Sequence, residues 1–256
     1  MSIEALLLVY GLVVVAILVS YRNQLGLERE TLISSVRATV QLLVMGFLLV
    51  TLFKLEHPAW WVLILLVMCG AAGVISGNRG KEVPHSHAIS FPGIFAGSML
   101  TFLVFVAAGV IKPEARFVIP VGGMIIGNSM KGASLALNRL IGELKHQSAR
   151  IETMLALGGN ATQAGRESMR EAVRAAMIPT IDGMKVIGLV HLPGIMTGFI
   201  LAGGSPMEAV KYQLAILFML VGTTGLACVV VTLLAVRRCF TPQLQLRKPF
   251  RPFSNV

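Results

Sequence analysis

Long runs of apolar residues, separated by short polar segments, make up most of the chain. Each run is close to the length that a helix needs to cross the hydrocarbon core of a bilayer. The runs are solid rather than alternating, which argues against a membrane β-barrel. The pattern therefore predicts an all-α, polytopic membrane protein with about seven transmembrane helices. The runs cover residues 6–20, 36–53, 60–76, 91–111, 117–137, 186–202 and 212–236.

The segment 139–185, between the fifth and sixth runs, is charged and rich in alanine but has helical punctuation. A first helix is predicted to end at Gly158 and Gly159, because glycine tolerates the left-handed conformation of a helix C-cap. Asn160 is expected to cap a second helix, with Gln163 three residues later completing a capping box. Pro179 is expected to end or kink that helix.

The second helix of this segment is predicted to be amphipathic and basic. Arg166, Arg170 and Arg174 repeat every four residues and form one ridge. Two interpretations remain open at this point: an interfacial helix that rests its apolar side in lipid, or a docking element for a soluble partner. The apolar stripe consists of Met169, Ala172, Val173, Ala176 and Met177.

Composition and charge support a membrane location and suggest an orientation. The chain has 256 residues, of which 55% are hydrophobic and 13% charged, with a net charge of +10. Placing the N-terminus outside and the C-terminus in the cytoplasm puts most Lys and Arg residues on the inner side, as the positive-inside rule requires. The excess charge is then explained by contact with anionic membrane lipid, so no nucleic-acid partner is expected.

The polar residues argue against several classes of membrane protein. Every acidic residue falls in a loop or at the end of a run, which counts against a proton-coupled carrier. Three scattered cysteines and five dispersed histidines predict no metal site. The segment "ISGNRGKE" has Ile75 and Glu82 where a phosphate-binding loop needs glycine and Ser or Thr, so ATP and Mg²⁺ are not expected to bind this chain.

Two stretches, and a short motif at the start of one of them, carry a family resemblance. Glu152, Leu157 and Gly158 stand in "ETMLALG", which resembles the E-A-A-x-x-x-G core of the coupling loop in ATP-binding-cassette (ABC) permeases. Together with "IPVGGMIIGNSM" and the long run from "ETMLALGG" to "EAVKYQ", this motif makes nearly the whole chain resemble the FetB family of permeases.

The resemblance implies an iron-export permease that works as a homodimer with two copies of a separate ABC ATPase, in a bacterial inner membrane. ATP and Mg²⁺ would then be bound by the partner. It also implies that Glu152, Leu157, Gly158, Arg166, Arg170 and Arg174 couple the ATPase to the membrane part. The family includes a plant half-transporter tied to aluminium tolerance, so the cargo and the direction of transport stay open.

Five residues of the fifth and sixth runs are candidates for the translocation path. Asn128 either lines a path or makes an interhelical hydrogen bond, because an amide in hydrocarbon needs a partner. Pro193 is expected to break the sixth run, and His191 nearby either contacts a cation or has a structural role. The thioethers of the methionines can bind soft metal ions, but methionine also commonly fills space between apolar helices. The candidates are Met124, Asn128, Met130, His191 and Met196.

The predicted organisation is one permease domain, residues 1–240, followed by a poorly ordered cytoplasmic tail, residues 241–256. The leading functional hypothesis is the membrane subunit of an ABC exporter. The alternative is a carrier or channel for ions or small solutes that needs no ATPase. An enzyme is not expected, because the sequence offers no set of nucleophile, base and metal ligands.

Overall fold

The computed structural model describes residues 3–54, 57–247 and 250, and the regular structure of these residues is helical. The chain forms two compact units, Met1–Glu56 and His57–Val256. The β-type pairing in the described part is limited to two isolated bridges. The all-α fold class is therefore confirmed.

The first unit is a helical hairpin made of α1 (Ile3–Arg22) and α2 (Glu28–Leu52). Gly26, with φ +69°, allows the chain to reverse between the two helices. The Ser20 hydroxyl donates to Glu28 Oε1 at 2.6 Å and links the end of one helix to the start of the next. Its large apolar side chains are mostly exposed, as expected for helices that face lipid.

The second unit contains eight helices among its described residues, and it holds the large buried core. The first of them begins at Pro58, where proline suits the first helical turn because that turn has no intrahelical acceptor for its N–H groups. The helices are α3 (Pro58–Arg79), α4 (Ser86–Ala107), α5 (Ala115–His146), α6 (Ser148–Ala156), α7 (Ala161–Ala164), α8 (Arg166–Val186), α9 (Gly194–Leu201) and α10 (Pro206–Arg238).

Four of the described helices are long and apolar enough to cross a membrane: α2, α3, α4 and α10. A shorter apolar stretch, Leu8–Arg22, lies in α1. The fifth predicted run lies in α5, whose 32 residues correspond to about 48 Å, more than a bilayer core requires. The structure thus supports a polytopic membrane protein, and the count of about seven spans stays a prediction.

The sixth predicted run, residues 186–202, is not a continuous helix. The helical structure stops at Val186 and resumes at Gly194, directly after Pro193. The break expected at Pro193 is confirmed, but the expectation of one spanning helix over this run is wrong. The eight residues of α9 cover only about 12 Å, too little to cross a bilayer.

The helix before the break extends further than the sequence suggested. Pro179 lies inside α8, which continues for seven more residues to Val186, so the proline does not end the helix. This helix packs along α5 and α10 for much of its length. The second half of the predicted segment 139–185 is therefore part of the helical bundle rather than a separate projecting element.

Small residues allow the central helices of the second unit to approach closely. A Cβ atom placed on Gly93 of α4 would lie 2.1 Å from Val231 Cγ2 of α10, and one placed on Gly132 of α5 would lie 2.5 Å from Thr224 Cγ2 of α10. Close backbone approach at small residues is the usual way in which membrane helices gain packing energy. These glycines hold α4 and α5 against α10.

The start of the C-terminal tail is ordered, contrary to expectation. Phe240 and Leu246 form an antiparallel bridge, and the Arg247 N–H donates to the Cys239 carbonyl at 2.9 Å. Leu246 and Phe250 are fully buried in the main core. Burial of these apolar side chains explains the order of residues 241–247, while residues 251–256 of the predicted tail lie outside the described residues.

Candidate functional site

A polar cavity of about 370 Å³ lies in the second unit, at the break between α8 and α9. Three helices present one face each to it, since the lining positions on α5, α8 and α10 recur every three or four residues. The lining residues are Asn128, Lys131, Gly132, Leu135, Ala176, Pro179, Thr180, Gly183, Ile187, His191, Pro193, Gln213, Leu217, Leu220 and Thr224.

The break supplies non-helical backbone to the cavity wall. Ile187 and His191 pair in an isolated parallel bridge, and the Gly188 N–H donates to the His191 carbonyl at 3.0 Å. Gly188 has φ +80°, a conformation that favours glycine. Irregular backbone at membrane depth is tolerated where it lines a cavity or is buried in protein. In this segment Ile187, His191 and Pro193 all line the cavity.

Asn128 lines the cavity and does not make the interhelical hydrogen bond that was one of its two expected roles. Its Nδ2 donates to the Met124 carbonyl of the same helix at 2.8 Å. Its Oδ1 makes no hydrogen bond to another described residue. The amide oxygen is therefore available to accept from a bound solute.

Gln213 of α10 is the polar group that the sequence analysis missed. The residue is only 7% exposed, yet its Oε1 has no hydrogen-bond partner among the described residues. Leaving a buried amide oxygen unpaired costs about 1–3 kcal/mol. The signal was present in the sequence, since a glutamine within an apolar helix meets the same argument that identified Asn128.

Lys131 and His191 bring nitrogen groups to the same cavity. Lys131, one turn beyond Asn128 on α5, makes no hydrogen bond or ion pair with any described residue. The His191 side chain is exposed, and its ring makes no hydrogen bond within the described part of the chain. The structural role considered for His191, a ring bonded to a neighbouring carbonyl, is thus not seen.

The three candidate methionines do not join this group. Met124, Met130 and Met196 are all half-buried, and none of them lines the polar cavity. Met130 packs against the main core. The polar cavity is therefore lined by Asn128 and His191 but by none of the three candidate methionines.

A second cavity, of about 240 Å³, lies between α3, α4 and α5 and is almost entirely apolar. Leu65, Phe95 and Ile126 are among its walls, and Ser98 supplies a hydroxyl. Such a surface offers no orienting polar groups for a hydrophilic solute. The polar cavity is therefore the candidate path for such a solute.

The predicted coupling turn has the expected backbone. Gly158 has φ +88°, its N–H donates to the Leu155 carbonyl, and the Gly159 N–H donates to the Met154 carbonyl. These two bonds form a Schellman motif, which confirms the left-handed helix end. Glu152 and Leu157 are exposed, Leu157 by 83%.

The capping box is also confirmed. The Gln163 N–H donates to Asn160 Oδ1 at 2.9 Å, and the Asn160 N–H donates to Gln163 Oε1 at 2.9 Å. The capped helix is short, because Gly165 separates α7 from α8. The box therefore fixes the geometry of the entry into α8.

The apolar stripe of α8 packs against the rest of the second unit, with Ala172 and Ala176 buried and the other three residues half-buried. Ala172 packs in the main core, and Ala176 packs with Ala136 of α5 and Cys228 of α10. A stripe that is used in this way cannot also lie in lipid. The interfacial-helix interpretation is therefore wrong.

The arginine ridge of α8 remains on the surface. Arg166, Arg170 and Arg174 are all exposed. Arg170 lies 3.6 Å from Glu167, and Arg174 lies 2.7 Å from Glu171. Exposed pairs of this kind contribute at most about 1 kcal/mol, so the guanidinium groups can exchange these partners for others.

One end of the second unit is strongly basic. Val83, Leu144, Ile151 and Val236 belong to one buried cluster, so the α3–α4 loop, the end of α5, α6 and the end of α10 meet there. A 2.6 Å ion pair between Lys145 Nζ and Glu82 Oε2 adds to this junction. The exposed basic residues at this end are Arg79, Lys81, Arg139, Lys145, Arg150, Arg166, Arg237, Arg238 and Arg247.

Neither cysteine nor acidic residues form a metal centre in the described residues. No group of three or more His, Cys, Asp or Glu side chains there is arranged to hold a metal ion. Cys69, Cys228 and Cys239 are free thiols, and all are buried. Burial raises the pKa of Cys239, which follows α10, from its ordinary value of 9.0 to about 12, against a smaller lowering by Arg247. A thiol of this kind is unreactive.

Comparison with known proteins gives matches along nearly the whole chain. A family model described as "Uncharacterised protein family (UPF0014)" matches residues 3–240. The "Probable iron export permease protein FetB" of Escherichia coli (strain K12) is 37% identical over 243 residues, which cover 95% of this chain and 94% of that protein.

Plant proteins match at similar levels. The "UPF0014 membrane protein STAR2" of Oryza sativa subsp. japonica is 37% identical, covering 92% of this chain and 83% of the relative. "Protein ALUMINUM SENSITIVE 3" of Arabidopsis thaliana is 34% identical, covering 92% of this chain and 86% of the relative. No solved structure gives a significant match.

Proposed function

Because the chain belongs to the UPF0014 family of membrane proteins, we propose that it is the permease subunit of an ABC exporter driven by a separate ATPase. Two copies of the chain form the path, and two copies of the ATPase bind ATP and Mg²⁺. The assembly lies in the bacterial inner membrane, with the N-terminus outside and the C-terminus in the cytoplasm. Iron is the proposed cargo, because the E. coli relative is named as a probable iron export permease.

The observation that carries this proposal is the placement of two sites on one helix. The first half of α8 bears the exposed ridge of Arg166, Arg170 and Arg174, and its second half contributes Pro179 and Gly183 to the polar cavity. From Arg170 to Gly183 the helix rises about 20 Å. Because both sites belong to one helix, a partner that moves the ridge also moves the cavity wall, with bending permitted at Pro179 between them.

The basic end supports the proposed orientation. Lys112, Arg116 and Lys211 lie at the opposite end of the second unit, since α5 and α10 both run from these residues toward the basic end. The positive-inside rule then places the basic end, with the ridge and the turn at Gly158, in the cytoplasm. That is the side on which a cytosolic ATPase is available.

The partner surface combines charge with one exposed apolar contact. Leu157 supplies an apolar anchor beside the left-handed turn at Gly158, and the α8 ridge supplies guanidinium groups that can bind carboxylates. The complementary surface on the ATPase is a cleft with an apolar floor and an acidic rim. Glu152, exposed on α6, is placed to pair with one basic residue beside that acidic rim.

Co-purification of the chain with its ATPase tests the proposal. Arg170→Glu combined with Arg174→Glu is expected to abolish the complex, because both guanidinium groups lie on the exposed ridge. Arg116→Glu is the matched control: Arg116 is 64% exposed, as is Arg174, and it pairs with Glu114 at 2.6 Å, but it lies at the opposite end of the unit.

An unchanged complex in the double variant would overturn the docking assignment. Liposome transport separates the proposal from its alternative. An ATP-driven permease moves iron only when the ATPase and ATP are present. Transport by the purified chain alone would instead support a carrier or channel.

A further inference from the structure

We propose that the apolar cavity between α3, α4 and α5 binds one acyl chain of a membrane phospholipid. The chain comes from the leaflet on the side of Trp60, which is the outer leaflet in the orientation proposed above. This site is separate from the proposed transport path, because the apolar cavity shares no lining residue with the polar cavity. The assignment is carried by the shape of the apolar cavity, by its depth and by its lack of free polar groups.

Two membrane helices that meet at one end and separate toward the other form the walls of the cavity. At the basic end α3 and α4 touch: a Cβ atom on Gly77 would lie 2.7 Å from His87 Cα, and one on Gly73 would lie 3.2 Å from Phe91 Cα. Beyond this contact, toward the opposite end, both helices line the cavity, and α5 lies behind them. The glycines therefore hold the narrow end of a wedge that opens in one half of the membrane.

The mouth of the cavity faces lipid, and its back is closed. Val62 and Leu66 of α3 and Met99 and Leu103 of α4 line the cavity and are exposed. The lining residues of α5 are buried, and they include Ile125 and Ile126. A molecule therefore enters sideways from the bilayer, between α3 and α4.

The cavity is long and narrow. Its lining runs from Val62 to Cys69 on α3 and from Phe95 to Leu103 on α4, which is about 10–12 Å along each helix. With a volume of about 240 Å³, the mean cross-section is about 22 Å². An extended hydrocarbon chain is this narrow, whereas a helix with its side chains is about 10 Å across and needs about three times this area. A helix of a second copy therefore does not fit.

The depth of the cavity matches that of an acyl chain. Trp60 is 52% exposed near the start of α3, and exposed tryptophan is typical of the membrane–water interface. From Trp60 the lining of α3 begins about 3 Å deeper, at Val62, and ends about 14 Å deeper, at Cys69. That range lies within one half of a hydrocarbon core about 30 Å thick. The cavity also runs along the helices, which is the direction of the lipid chains.

The lining leaves no group for water to bind. Ser98 carries the one hydroxyl among the described lining residues, and it already lies 3.0 Å from the Ser129 hydroxyl. Cys69 contributes a thiol, which is a weak donor. A buried water needs two to four polar partners, so the cavity does not hold one stably. An acyl chain needs none and fills the space with dispersion contacts.

Photolabelling in nanodiscs of phosphatidylcholine tests the assignment. A small fraction of the lipid carries a diazirine midway along one acyl chain, and mass spectrometry of the digested protein locates the labelled residues. Ile125 and Ile126 are only 1% and 5% exposed, so lipid on the outer surface does not reach them. We expect both to be labelled by a chain inside the cavity. Label on exposed Leu100 without label on these two residues would overturn the proposal.

A variant that fills the mouth should exclude the chain. Val62→Trp combined with Met99→Trp adds volume at two exposed lining positions and is expected to abolish labelling of the two isoleucines. Val67→Trp combined with Leu100→Trp is the matched control, because both residues are exposed on the same two helices but line no part of the cavity. Its labelling should equal that of the wild type. Persistent isoleucine labelling in the mouth variant would contradict the proposed entry.

Thermal melting gives a readout that is independent of the label. Removing lipid from the detergent-solubilised wild type should lower its melting temperature, and phosphatidylcholine should restore it, because an empty cavity forfeits dispersion contacts. The mouth variant supplies these contacts itself and should respond less to lipid than the control variant. Equal responses would overturn the proposal, and the wild-type labelling decides the matter even where the mouth variant does not fold. No ATPase is present, so the test of the docking surface is unaffected.

Discussion

The hydroxyl of Ser129 on α5 lies 2.7 Å from the hydroxyl of Thr223 on α10, and both side chains are completely buried. Ser98 of α4 extends the contact, with its hydroxyl 3.0 Å from that of Ser129. One short chain of hydroxyl groups therefore joins three helices at the centre of the second unit. Hydroxyl groups inside a membrane bundle are stable when each has a partner, and here they fix the register of α5 against α10.

Thr223→Val is expected to lower the stability of the protein by about 1 kcal/mol, because the change keeps the side-chain shape but leaves Ser129 with one partner fewer. Thermal melting of the purified protein in detergent measures the effect. Thr153→Val is the control, since its hydroxyl bonds only the Ala149 carbonyl on the exposed side of α6. Equal melting temperatures for the two variants would contradict the structural role of the hydroxyl chain.

Gly93→Ala is expected to destabilise the contact between α4 and α10 by about 1–3 kcal/mol, the usual cost of overpacking. The added Cβ would lie 2.1 Å from Val231 Cγ2 and 3.2 Å from the Val231 backbone nitrogen, so rotation of the valine cannot relieve the clash fully. Gly222→Ala on α10 meets no atom within 4 Å and should gain up to about 1 kcal/mol in helix propensity. Thermal melting should therefore rank Gly93→Ala below the wild type and Gly222→Ala at or above it.

Asn160→Ala is expected to weaken the start of α7 and α8 by about 1 kcal/mol, because the Gln163 N–H loses its acceptor. Local opening should then expose the chain near Arg166. Limited trypsin digestion measures this, with faster cleavage after Arg166 in the variant. Thr162→Ala, an exposed neighbour whose hydroxyl makes no hydrogen bond within the described residues, is the control and should be cleaved at the wild-type rate.

Cys239 should make the protein less stable at alkaline pH. Its thiol stays protonated in the folded protein because burial raises the pKa from 9.0 to about 12. The unfolded chain releases this proton above pH 9, so the contribution is complete below pH 9 and is lost as the pH rises toward 12. At pH 10 the loss is about 1.4 kcal/mol.

The variant Cys239→Ala isolates that contribution. The difference in unfolding free energy between wild type and variant should be constant below pH 9 and should shift in favour of the variant above it. Denaturant unfolding at several pH values measures the difference. A constant difference up to pH 11 would show that the thiol ionises as readily in the folded protein as in the unfolded chain.

Local signals in the sequence predicted local structure well. Gly158 and the pair of Asn160 and Gln163 define a helix end and a helix start through hydrogen bonds between near neighbours, and the structure has both. Pro193 predicted the break for the same reason, since its ring removes a donor whatever surrounds it. The resemblance to the FetB family is confirmed by the match over residues 3–240 and by the 37% identity with the E. coli protein.

Features that depend on distant contacts were harder to predict. The sequence of α8 is equally amphipathic whether its apolar stripe faces lipid, a partner or α5. The contacts with Ala136 and Cys228 show that the stripe packs inside the bundle. Gln213 is one polar residue in an apolar helix, and its importance comes from Asn128 and Lys131 on another helix. The tail is polar in composition, and composition alone does not reveal that Leu246 and Phe250 are buried in the core.

The proline inside α8 gives that helix a built-in hinge. Pro179 has no N–H, so the carbonyl of Ala175 lacks its usual intrahelical donor and one bond fewer resists bending at this point. The three arginines precede the hinge, and Thr180 and Gly183, which line the cavity, follow it, while Ala176 lines the cavity from the arginine side. Under the docking proposal above, bending at Pro179 turns a displacement of the arginine ridge into a sideways movement of Thr180 and Gly183, while the hydrogen bonds on either side of the proline stay intact.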